Sequence, residues 1–484
     1  MITSPVISWL AVAPEVSLAV GAVLVLLIDV QWKPATRVLG TVFTSVLVAA
    51  ATFSVWQWLW VDGVAGDRSQ MLPFAEMIAV DRFAVFARCV LLVATALGVA
   101  AGWKMFESLG RRAAEALALI LLATLGFGLM AASTQLVMMF VALEVGSISL
   151  YVLAGITRER TESDEAAIKY FLMGAFASAI FVYGVALVYA STGAFSLIAI
   201  REFLGDFLVT NPAVLLIGLA LIVAGLGFKV TAAPFHSWAP DVYQGAPTGV
   251  VGYMAAVAKV GGFAALARVL ITAFPTLVAD WAPVVAAVAT LSMAVGAILA
   301  LVQDDVKRML AYSGVAHAGF ILTGVVGGAT TGLWFYLAVY SVQLVGAFAV
   351  VAAVTGSTAS RSAIADYSGL GTRSPFLAAS FSVLLLGMAG LPVTSGFVAK
   401  FGVFQEAWAA GYSWLVIVAV VASVVALAFY LRIIVKMYME EGTETPTKPA
   451  MGIRAVLGVA VAATIVFGIF PSALLELARD AIAF

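Results

Sequence analysis

The sequence predicts an all-α, polytopic membrane protein of about fourteen transmembrane helices. Of its 484 residues, 63% are hydrophobic and only 11% are charged, whereas a soluble globular domain carries roughly 25% charged residues. The apolar residues also form long runs, and a helix needs about 20 of them to cross the hydrocarbon core. Candidate spans lie near residues 9–30, 38–60, 80–102, 114–132, 134–156, 166–190, 213–235, 249–271, 281–302, 308–327, 331–354, 376–404, 413–438 and 451–473.

The basic residues between the spans predict an orientation, because cytoplasmic connections are enriched in Lys and Arg. Connections after odd-numbered spans hold Lys33, Arg37, Lys104, Arg111, Arg112, Arg158, Arg160, Lys307, Arg308, Arg361, Arg373, Lys436 and Lys448. Even-numbered connections and the tail hold only Arg68, Arg82, Arg201 and Arg479. We therefore expect both termini on the non-cytoplasmic side. The first residues, "MITSPVISWL", lack the positive region of a cleavable signal peptide, which favours a permanent first span.

Composition also argues against several functions. The net charge of −1 gives no sign of the clustered basic face that nucleic-acid binding requires. Two histidines and one cysteine, Cys89, cannot supply the four protein ligands of a usual zinc site or a thiolate cluster. We expect this chain to bind no metal or cofactor of its own.

Several charged residues remain inside the predicted spans. Some lie close enough to a helix end for their long side chains to reach the interface; these are Arg268, Arg432, Arg454 and Lys169. Glu144, Lys229, Lys259 and Lys400 lie deeper. An ionised side chain at the centre of a lone helix costs at least about 2.5 kcal/mol. These four residues must therefore pair with each other or meet water.

Two of the buried lysines lie beside helix-breaking residues. In "GFKVTAAPF", Pro234 follows Lys229, and in "GLPVTSGFVAK", Pro392 and Gly396 precede Lys400. Proline frees backbone carbonyls, and non-helical backbone at membrane depth is tolerated only where protein or a water-filled cavity satisfies it. Broken spans indicate ion paths in transporters. We expect spans 7 and 12 to be broken and to line such a path.

Lys259 and His317 lie in unbroken spans. Gly252 and Gly262 share a helical face with Lys259, and small residues on that face indicate close helix packing. A lone histidine in an apolar helix is more often a hydrogen-bonded core residue than a functional one, but its unperturbed pKa is the one nearest neutrality. Two interpretations remain open: static ion pairs that fix helices together, or a proton relay.

Four segments resemble a known family. "SDEAAIKYFLMGAFASAIFVYG" (163–184), "FKVTAAPFHSWAPDVYQGAPTGVVGYMAAVAKVGGFAAL" (228–266), "KRMLAYSGVAHAGF" (307–320) and "GLPVTSGFVAKFGVF" (390–404) are similar to the antiporter-like membrane subunits of NADH:quinone oxidoreductase, respiratory complex I. The "PDVYQGAPT" loop is typical of subunit N, and so is a lysine, Lys400, at a position where a paralogue carries glutamate.

The resemblance implies a specific organisation. It gives two inverted five-helix repeats at 114–271 and 281–438, preceded by a three-span region (1–113) and followed by a C-terminal span (439–484). It also implies a proton relay, whose members would be Glu144, Lys229, Lys259, His317 and Lys400.

The resemblance further implies a role as a non-redox subunit of a proton-translocating translocase in the bacterial inner membrane. NAD(H), FMN, iron–sulfur clusters and quinone would then bind to other subunits, and the partners would be the other membrane subunits, including antiporter-like paralogues, and the lipid bilayer. A subunit of a multi-subunit sodium/proton antiporter is the alternative, and a structural role for the buried charges is the third.

Overall fold

The computed structural model describes residues 9–64, 76–157, 160–328, 331–356, 362–442 and 449–482. Within these residues, thirteen helices are long and apolar enough to cross a membrane. The helices are α1 (Ala13–Trp32), α2 (Thr36–Trp60), α3 (Arg82–Ser108), α4 (Arg112–Ala132), α5 (Leu136–Ala154), α6 (Thr161–Thr192), α7 (Leu197–Asp206), α8 (Pro212–Lys229), α9 (Trp238–Gly245), α10 (Thr248–Arg268), α11 (Val278–Leu301), α12 (Val306–Val326), α13 (Thr331–Thr355), α14 (Leu370–Arg373), α15 (Pro375–Ala389), α16 (Ser395–Ala409), α17 (Ser413–Met439), α18 (Met451–Ile469) and α19 (Ser472–Asp480).

The all-helical membrane fold predicted from composition is confirmed. The remaining predicted span, 376–404, is divided into the shorter helices α15 and α16. Four of the basic residues used for the orientation lie outside the described residues, as do the first eight residues of the chain; the four are Arg68, Arg158, Arg361 and Lys448.

N-cap carboxylates and glycines with positive φ explain where several helices begin and end. Asp81 and Asp305 cap α3 and α12, each accepting a hydrogen bond from a backbone N–H three residues on, as expected for N-cap carboxylates. Gly193 and Gly390 follow the last residues of α6 and α15 with positive φ values of 68° and 87°. Glycine adopts this left-handed conformation without steric cost, so it ends helices readily.

The core is formed by α10, α12 and α13, which are buried on nearly all faces. The helix α10 packs against α3, α4, α8 and α13. The outer helices α2, α6, α17 and α18 instead expose large apolar side chains on one side, because that side faces lipid. The charged residues of the central helices are therefore enclosed by protein.

Two five-helix units share one packing pattern. In the first unit α4 packs on α5, and α6 packs on both α8 and α9; in the second, α11 packs on α12, and α13 packs on both α15 and α16. A backbone bridge joins Gln135, just before α5, to Ser196, just after α6, and an equivalent bridge joins Asp305 to Ala363. Since a broken helix counts as one crossing, each unit crosses the membrane five times.

The breaks occur where the sequence predicts them, with one difference. The first lies between α8 and α9 and contains Pro234; the second lies between α15 and α16 and contains Pro392. Gly396 does not lie in the break but in the first turn of α16. A Cβ atom added there would lie 1.8 Å from the carbonyl oxygen of Gly387, so this glycine allows the two half-helices to approach closely.

This contact predicts the effect of Gly396→Ala. Alanine in place of glycine stabilises a helix by about 1 kcal/mol. The clash with Gly387, however, requires a backbone shift that costs about 1–3 kcal/mol. We expect a lower thermal unfolding midpoint in detergent. The control is Gly458→Ala in α18, where an added Cβ has no neighbour within 4 Å; this variant should be neutral or slightly more stable. Equal effects of the two substitutions would contradict the close-approach explanation.

Candidate functional site

Lys229 is the last residue of α8 and is buried, with 1% of its surface exposed. Its Nζ atom has no hydrogen-bond partner among the described residues. It lies 5.4 Å from the ring centroids of both Tyr151 and Tyr170 and 5.9 Å from that of Phe127. Aromatic faces attract cations but cannot accept a proton from them. The lysine is therefore held within an aromatic enclosure without a neutralising anion in contact.

Glu144 lies on α5 and is partly exposed, at a groove of about 510 Å³ between α5 and α6. The Ser178 hydroxyl, on α6, donates a hydrogen bond to its carboxylate. Glu144 and Lys229 are both described, yet they do not form an ion pair within 4.0 Å. The glutamate thus lies at the outer surface of the helix bundle, and the lysine lies in its interior.

Lys259 lies in the middle of α10 and donates hydrogen bonds into the first helix break. Its Nζ atom lies 2.5 Å from Thr231 Oγ1 and 3.4 Å from the carbonyl oxygen of Val230. Thr231 has a φ of +62°, which is rare for a β-branched residue. A left-handed residue at this point turns the chain out of the helix and presents oxygens to the ammonium group. Lys259 therefore contacts the residues that directly follow Lys229.

His317 lies on α12, and both of its ring nitrogens have tyrosine partners. The Nδ1 atom is 2.8 Å from the hydroxyl of Tyr336, and Nε2 is 3.2 Å from the hydroxyl of Tyr430. The Tyr430 hydroxyl is in turn 2.5 Å from Ser313 Oγ. Tyr340 stacks on the imidazole at a centroid distance of 4.3 Å. The histidine is thus the centre of a hydrogen-bonded chain, whose direction depends on its tautomer.

Lys400 lies on α16, just after the second break. Its Nζ atom donates to the carbonyl oxygen of Ala389 at 2.8 Å and to Ser423 Oγ at 3.2 Å, and it lies 4.3 Å from the ring centroid of Phe320. Ala389 is the last residue of α15, where carbonyls lack helical partners and the helix dipole is negative. A lysine therefore contacts each of the two breaks.

One face of α12 connects these groups. Gly314 lies one turn before His317, and a Cβ atom added there would be 3.4 Å from Lys259 Nζ and 3.6 Å from the Tyr340 hydroxyl. Phe320, beneath Lys400, lies one turn after His317. From Gly314 to Phe320 the helix rises by about 9 Å. Lys259, His317 and Lys400 thus follow one another along this face.

Two buried arginines, Arg268 and Arg88, have carboxylate partners, which corrects the expectation for Arg268. It does not reach the interface but is 2% exposed and bonds Asp81 through two nitrogens, each at 2.8 Å. Arg88, on α3, pairs with Glu15 of α1 and donates to Gln57 of α2 at 2.6 Å. These ion pairs fix helices together.

Lys307 is likewise buried, although its position in a connection suggests exposure. Its Nζ atom donates to the carbonyl oxygens of Gln244 at 2.7 Å and Ala246 at 3.4 Å, at the C-terminal end of α9. A lysine at a helix C-terminus satisfies carbonyls that have no helical partner. Lys307 therefore attaches the start of α12 to the second half of the first broken helix.

Beside Lys307 a polar cavity of about 900 Å³ opens between the two five-helix units. Asp241 of α9 bonds both Arg308 at 2.7 Å and Lys169 at 2.9 Å. Partial burial raises the pKa of this carboxyl, but the hydrogen bonds from Arg308 and Lys169 outweigh burial and hold the pKa below its ordinary value. The carboxylate stays charged and joins α6, α9 and α12.

Sequence reasoning misses most of the polar partners in this site. Tyr336, Tyr430 and Ser313 stand in apolar helices, and only a hydroxyl group inside a predicted span signals them. Tyr151 and Tyr170 have no pattern that indicates their position around Lys229. Their roles depend on how separate helices pack, which residue spacing within one helix does not give.

Comparisons with known proteins agree with this architecture. A family model described as "NADH:quinone oxidoreductase/Mrp antiporter, TM" matches residues 133–426. NADH-quinone oxidoreductase subunit N of Trichlorobacter lovleyi is 38% identical over 479 residues, covering 97% of this chain and 96% of that protein. The protein of the same name from Mycobacterium tuberculosis is 45% identical over 429 residues, 86% of this chain and 79% of its own length.

Solved structures are also similar. A chain of respiratory complex I from Thermus thermophilus with bound aureothin has 32% sequence identity and a TM-score of 0.80, with 96% of this chain and 99% of that chain covered. A chain of the Mrp complex from Dietzia sp. has 23% identity and a TM-score of 0.85, with 98% and 96% covered. At that identity the second match supports the fold alone.

The contrast between paired and unpaired charges predicts opposite effects on stability. Asp81→Asn removes the carboxylate charge that Arg268 contacts through two nitrogens and should cost about 3–5 kcal/mol. Lys229→Met removes an ammonium group without a hydrogen-bond partner and keeps the side-chain volume, so stability should be unchanged or higher. Thermal unfolding in detergent measures both. A large destabilisation by Lys229→Met would instead identify Lys229 as a structural ion-pair residue.

Proposed function

The chain belongs to the NADH:quinone oxidoreductase/Mrp antiporter family, as a relative of NADH-quinone oxidoreductase subunit N, and from this membership we propose how it moves protons. It acts as a proton-translocating membrane subunit of complex I. Its protons pass along Glu144, Lys229, Lys259, His317 and Lys400. The single observation that carries this proposal is the continuous face of α12, which places His317 between the ammonium groups of Lys259 and Lys400.

The partners of the three lysines support proton conduction rather than static ion pairing. Lys229, Lys259 and Lys400 have no ion-pair partner within 4.0 Å among the described residues, whereas Arg88 and Arg268 each have one. Several unpaired cations in one enclosed region repel each other and cost several kcal/mol each. A proton that arrives at one lysine therefore favours departure of a proton from the next.

The first transfer joins the edge of the chain to its interior. Glu144 faces the groove between α5 and α6 and receives or supplies the proton there. Lys229, enclosed by Tyr151 and Tyr170, alternates between ammonium and neutral amine. Water entering the enclosure bridges the two groups, since they are not in direct contact.

The second transfer crosses the first helix break. Lys259 donates to Thr231 Oγ1 and Val230 O, so its ammonium group already contacts the residues that follow Lys229. The stem of Lys229 packs near Gly262 of α10, where an added Cβ would lie 3.4 Å from Lys229 Cγ. The absence of a side chain at Gly262 keeps the two lysines close.

The third transfer uses the hydrogen-bonded chain of side chains centred on His317. A proton reaching one ring nitrogen of His317 displaces the proton on the other toward a tyrosine hydroxyl. Tyr430 and Ser313 extend this chain on one side and Tyr336 on the other. Lys400 receives the proton at the second break, where Ala389 O and Ser423 Oγ stabilise its ammonium form.

Redox chemistry is assigned to other subunits. NAD(H), FMN, the iron–sulfur clusters and quinone bind elsewhere in the complex, and this chain serves as a non-redox part of the translocase. Its partners are other membrane subunits, including antiporter-like paralogues. The chain's own contribution is to hold and move protons through the side chains described above.

We also propose the repeat organisation and the membrane orientation of the chain, which the packing of the helices supports. The units 114–271 and 281–438 are inverted repeats, because five crossings place the start of the second unit on the opposite side from the first. Arg37 and Glu107, from the first and third connections, approach to 3.6 Å, which supports a common side for odd-numbered connections. That side is cytoplasmic, the membrane is the bacterial inner membrane, and both termini face away from the cytoplasm.

Lys229 variants test the proposal. In inverted membrane vesicles, Lys229→Ala and Lys229→Met should abolish most NADH-driven acidification while the complex stays assembled, because the relay loses a proton-binding group. Quinone-linked electron transfer is recorded alongside. The control is Lys436→Ala, which removes only a pair with Glu440 at the helix end. Normal acidification by the Lys229 variants would refute the relay, and loss of assembly would favour the structural interpretation.

Tyr430→Phe tests the histidine chain. The phenylalanine keeps the ring but removes the hydrogen bonds to His317 and Ser313, so the proton-transfer rate should fall about tenfold, equivalent to about 1.4 kcal/mol in barrier height. The control is Tyr367→Phe, since the buried Tyr367 hydroxyl has no hydrogen-bond partner among the described residues. Equal acidification rates for the two variants would remove Tyr430 from the path.

Sodium dependence separates the antiporter alternative. A subunit of a sodium/proton antiporter should exchange protons for sodium in vesicles without NADH. We expect acidification that requires NADH and persists when sodium is replaced by choline. Sodium-driven proton exchange by the intact complex, abolished by Lys229→Ala, would favour the alternative.

A further inference from the structure

An apolar crevice on the outside of the helix bundle is separate from the relay. It consists of two adjacent cavities of about 1160 and 430 Å³, which share Val55, Cys89 and Val93 as lining residues. The floor is α3, and the walls are α2 and α18, which both pack on α3. Residues of α13 and α19 also line the smaller cavity. The lining is largely apolar, so an occupant must be apolar over most of its length.

One end of the crevice is basic. Arg37, in the first turn of α2, and Lys104, in the last turns of α3, line the larger cavity there. Both are exposed. Arg37 lies 3.6 Å from Glu107, while Lys104 forms no ion pair with a described residue. Glu107 lines the same mouth, so two basic groups and one carboxylate give it a net positive charge next to an uncharged interior.

The indole of Trp103 indicates at what depth in the membrane this mouth lies. It packs over Gly40, where an added Cβ would lie 2.3 Å from the ring. Tryptophan favours the membrane interface, at the level of lipid headgroups. From Lys104 to Cys89 the floor helix rises about 22 Å, whereas one leaflet of hydrocarbon is about 15 Å thick. The larger cavity is thus long enough for the acyl chains of one leaflet.

From this arrangement we infer that the crevice between α2, α3 and α18 is a binding site for an anionic phospholipid. The phosphate lies at Arg37 and Lys104, beside Trp103, and the acyl chains lie along α3 past Val93. Basic residues between membrane helices bind anionic headgroups by charge attraction. A zwitterionic lipid places its own cation against Lys104 and therefore binds more weakly.

Photocrosslinking of the intact complex tests this site. The complex is reconstituted in phosphatidylcholine vesicles that contain a minor fraction of phosphatidylglycerol with a diazirine in one acyl chain, and crosslinked peptides are mapped by mass spectrometry. We expect crosslinks to α3 around Cys89 and Val93. The Arg37→Gln, Lys104→Gln double variant should lower them at least about fivefold, and Val93→Trp should abolish them by filling the crevice.

Two matched controls make the outcome decisive. Arg111→Gln removes an exposed charge next to α4 that does not line the crevice, and Val421→Trp adds an indole to an exposed position on α17; both should crosslink as the wild type does. Diazirine phosphatidylcholine should label α3 more weakly than the anionic probe.

Three results would overturn the inference. Equal labelling by both lipids would mean ordinary surface lipid. Labelling unaffected by loss of Arg37 and Lys104 would remove the headgroup site. Absence of any label on α3 would mean that protein covers the crevice. None of these results bears on the proton relay, which shares no residue with the crevice.

Discussion

The structure depends on one constraint, which is that backbone carbonyls released inside the membrane must still find donors. Proline and a left-handed threonine interrupt the first broken helix, and a left-handed glycine ends the first half of the second. Lipid tails cannot satisfy these groups at that depth, so protein donors or water in a cavity must do so. Lys259 donates to the first break and Lys400 to the second. The breaks thus give a structural reason for ammonium groups to lie where an apolar side chain would otherwise be expected.

The buried arginines and the lysines of the proposed relay differ in their partners. Arg88 and Arg268 have carboxylate partners and link α3 to its neighbours, so removing one partner leaves an isolated charge. The relay lysines bond only neutral oxygens or contact aromatic rings. Neutral acceptors stabilise an ammonium group without fixing it in the charged form, because they also tolerate the amine. In the proposed relay, the paired arginines would fix the surrounding helices while the lysines change their charge.

Much of the fold could be predicted from the sequence, because membrane helices follow from apolar length alone. Both breaks lie at Pro234 and Pro392, as local backbone chemistry requires, while Gly396 allows close packing instead of ending a helix. Buried charge and family resemblance predict the positions of the proposed relay. The paired state of Arg268 and the burial of Lys307 could not be predicted, because each depends on a residue distant in sequence. The tyrosine partners of His317 were missed for the same reason.

Both imidazole nitrogens of His317 have hydrogen-bond partners, and this restricts the order in which protons can pass. A neutral histidine carries one N–H, so in its chain with Tyr336 and Tyr430 one nitrogen donates while the other accepts. A proton that enters at one nitrogen and leaves from the other reverses this assignment. The ring and its tyrosine hydroxyls must then return to their first orientation before a second proton can follow in the same direction. In the proposed relay, His317 would therefore pass protons one at a time, and the time that the ring and the hydroxyls need to reset would set an upper limit on the rate of proton transfer.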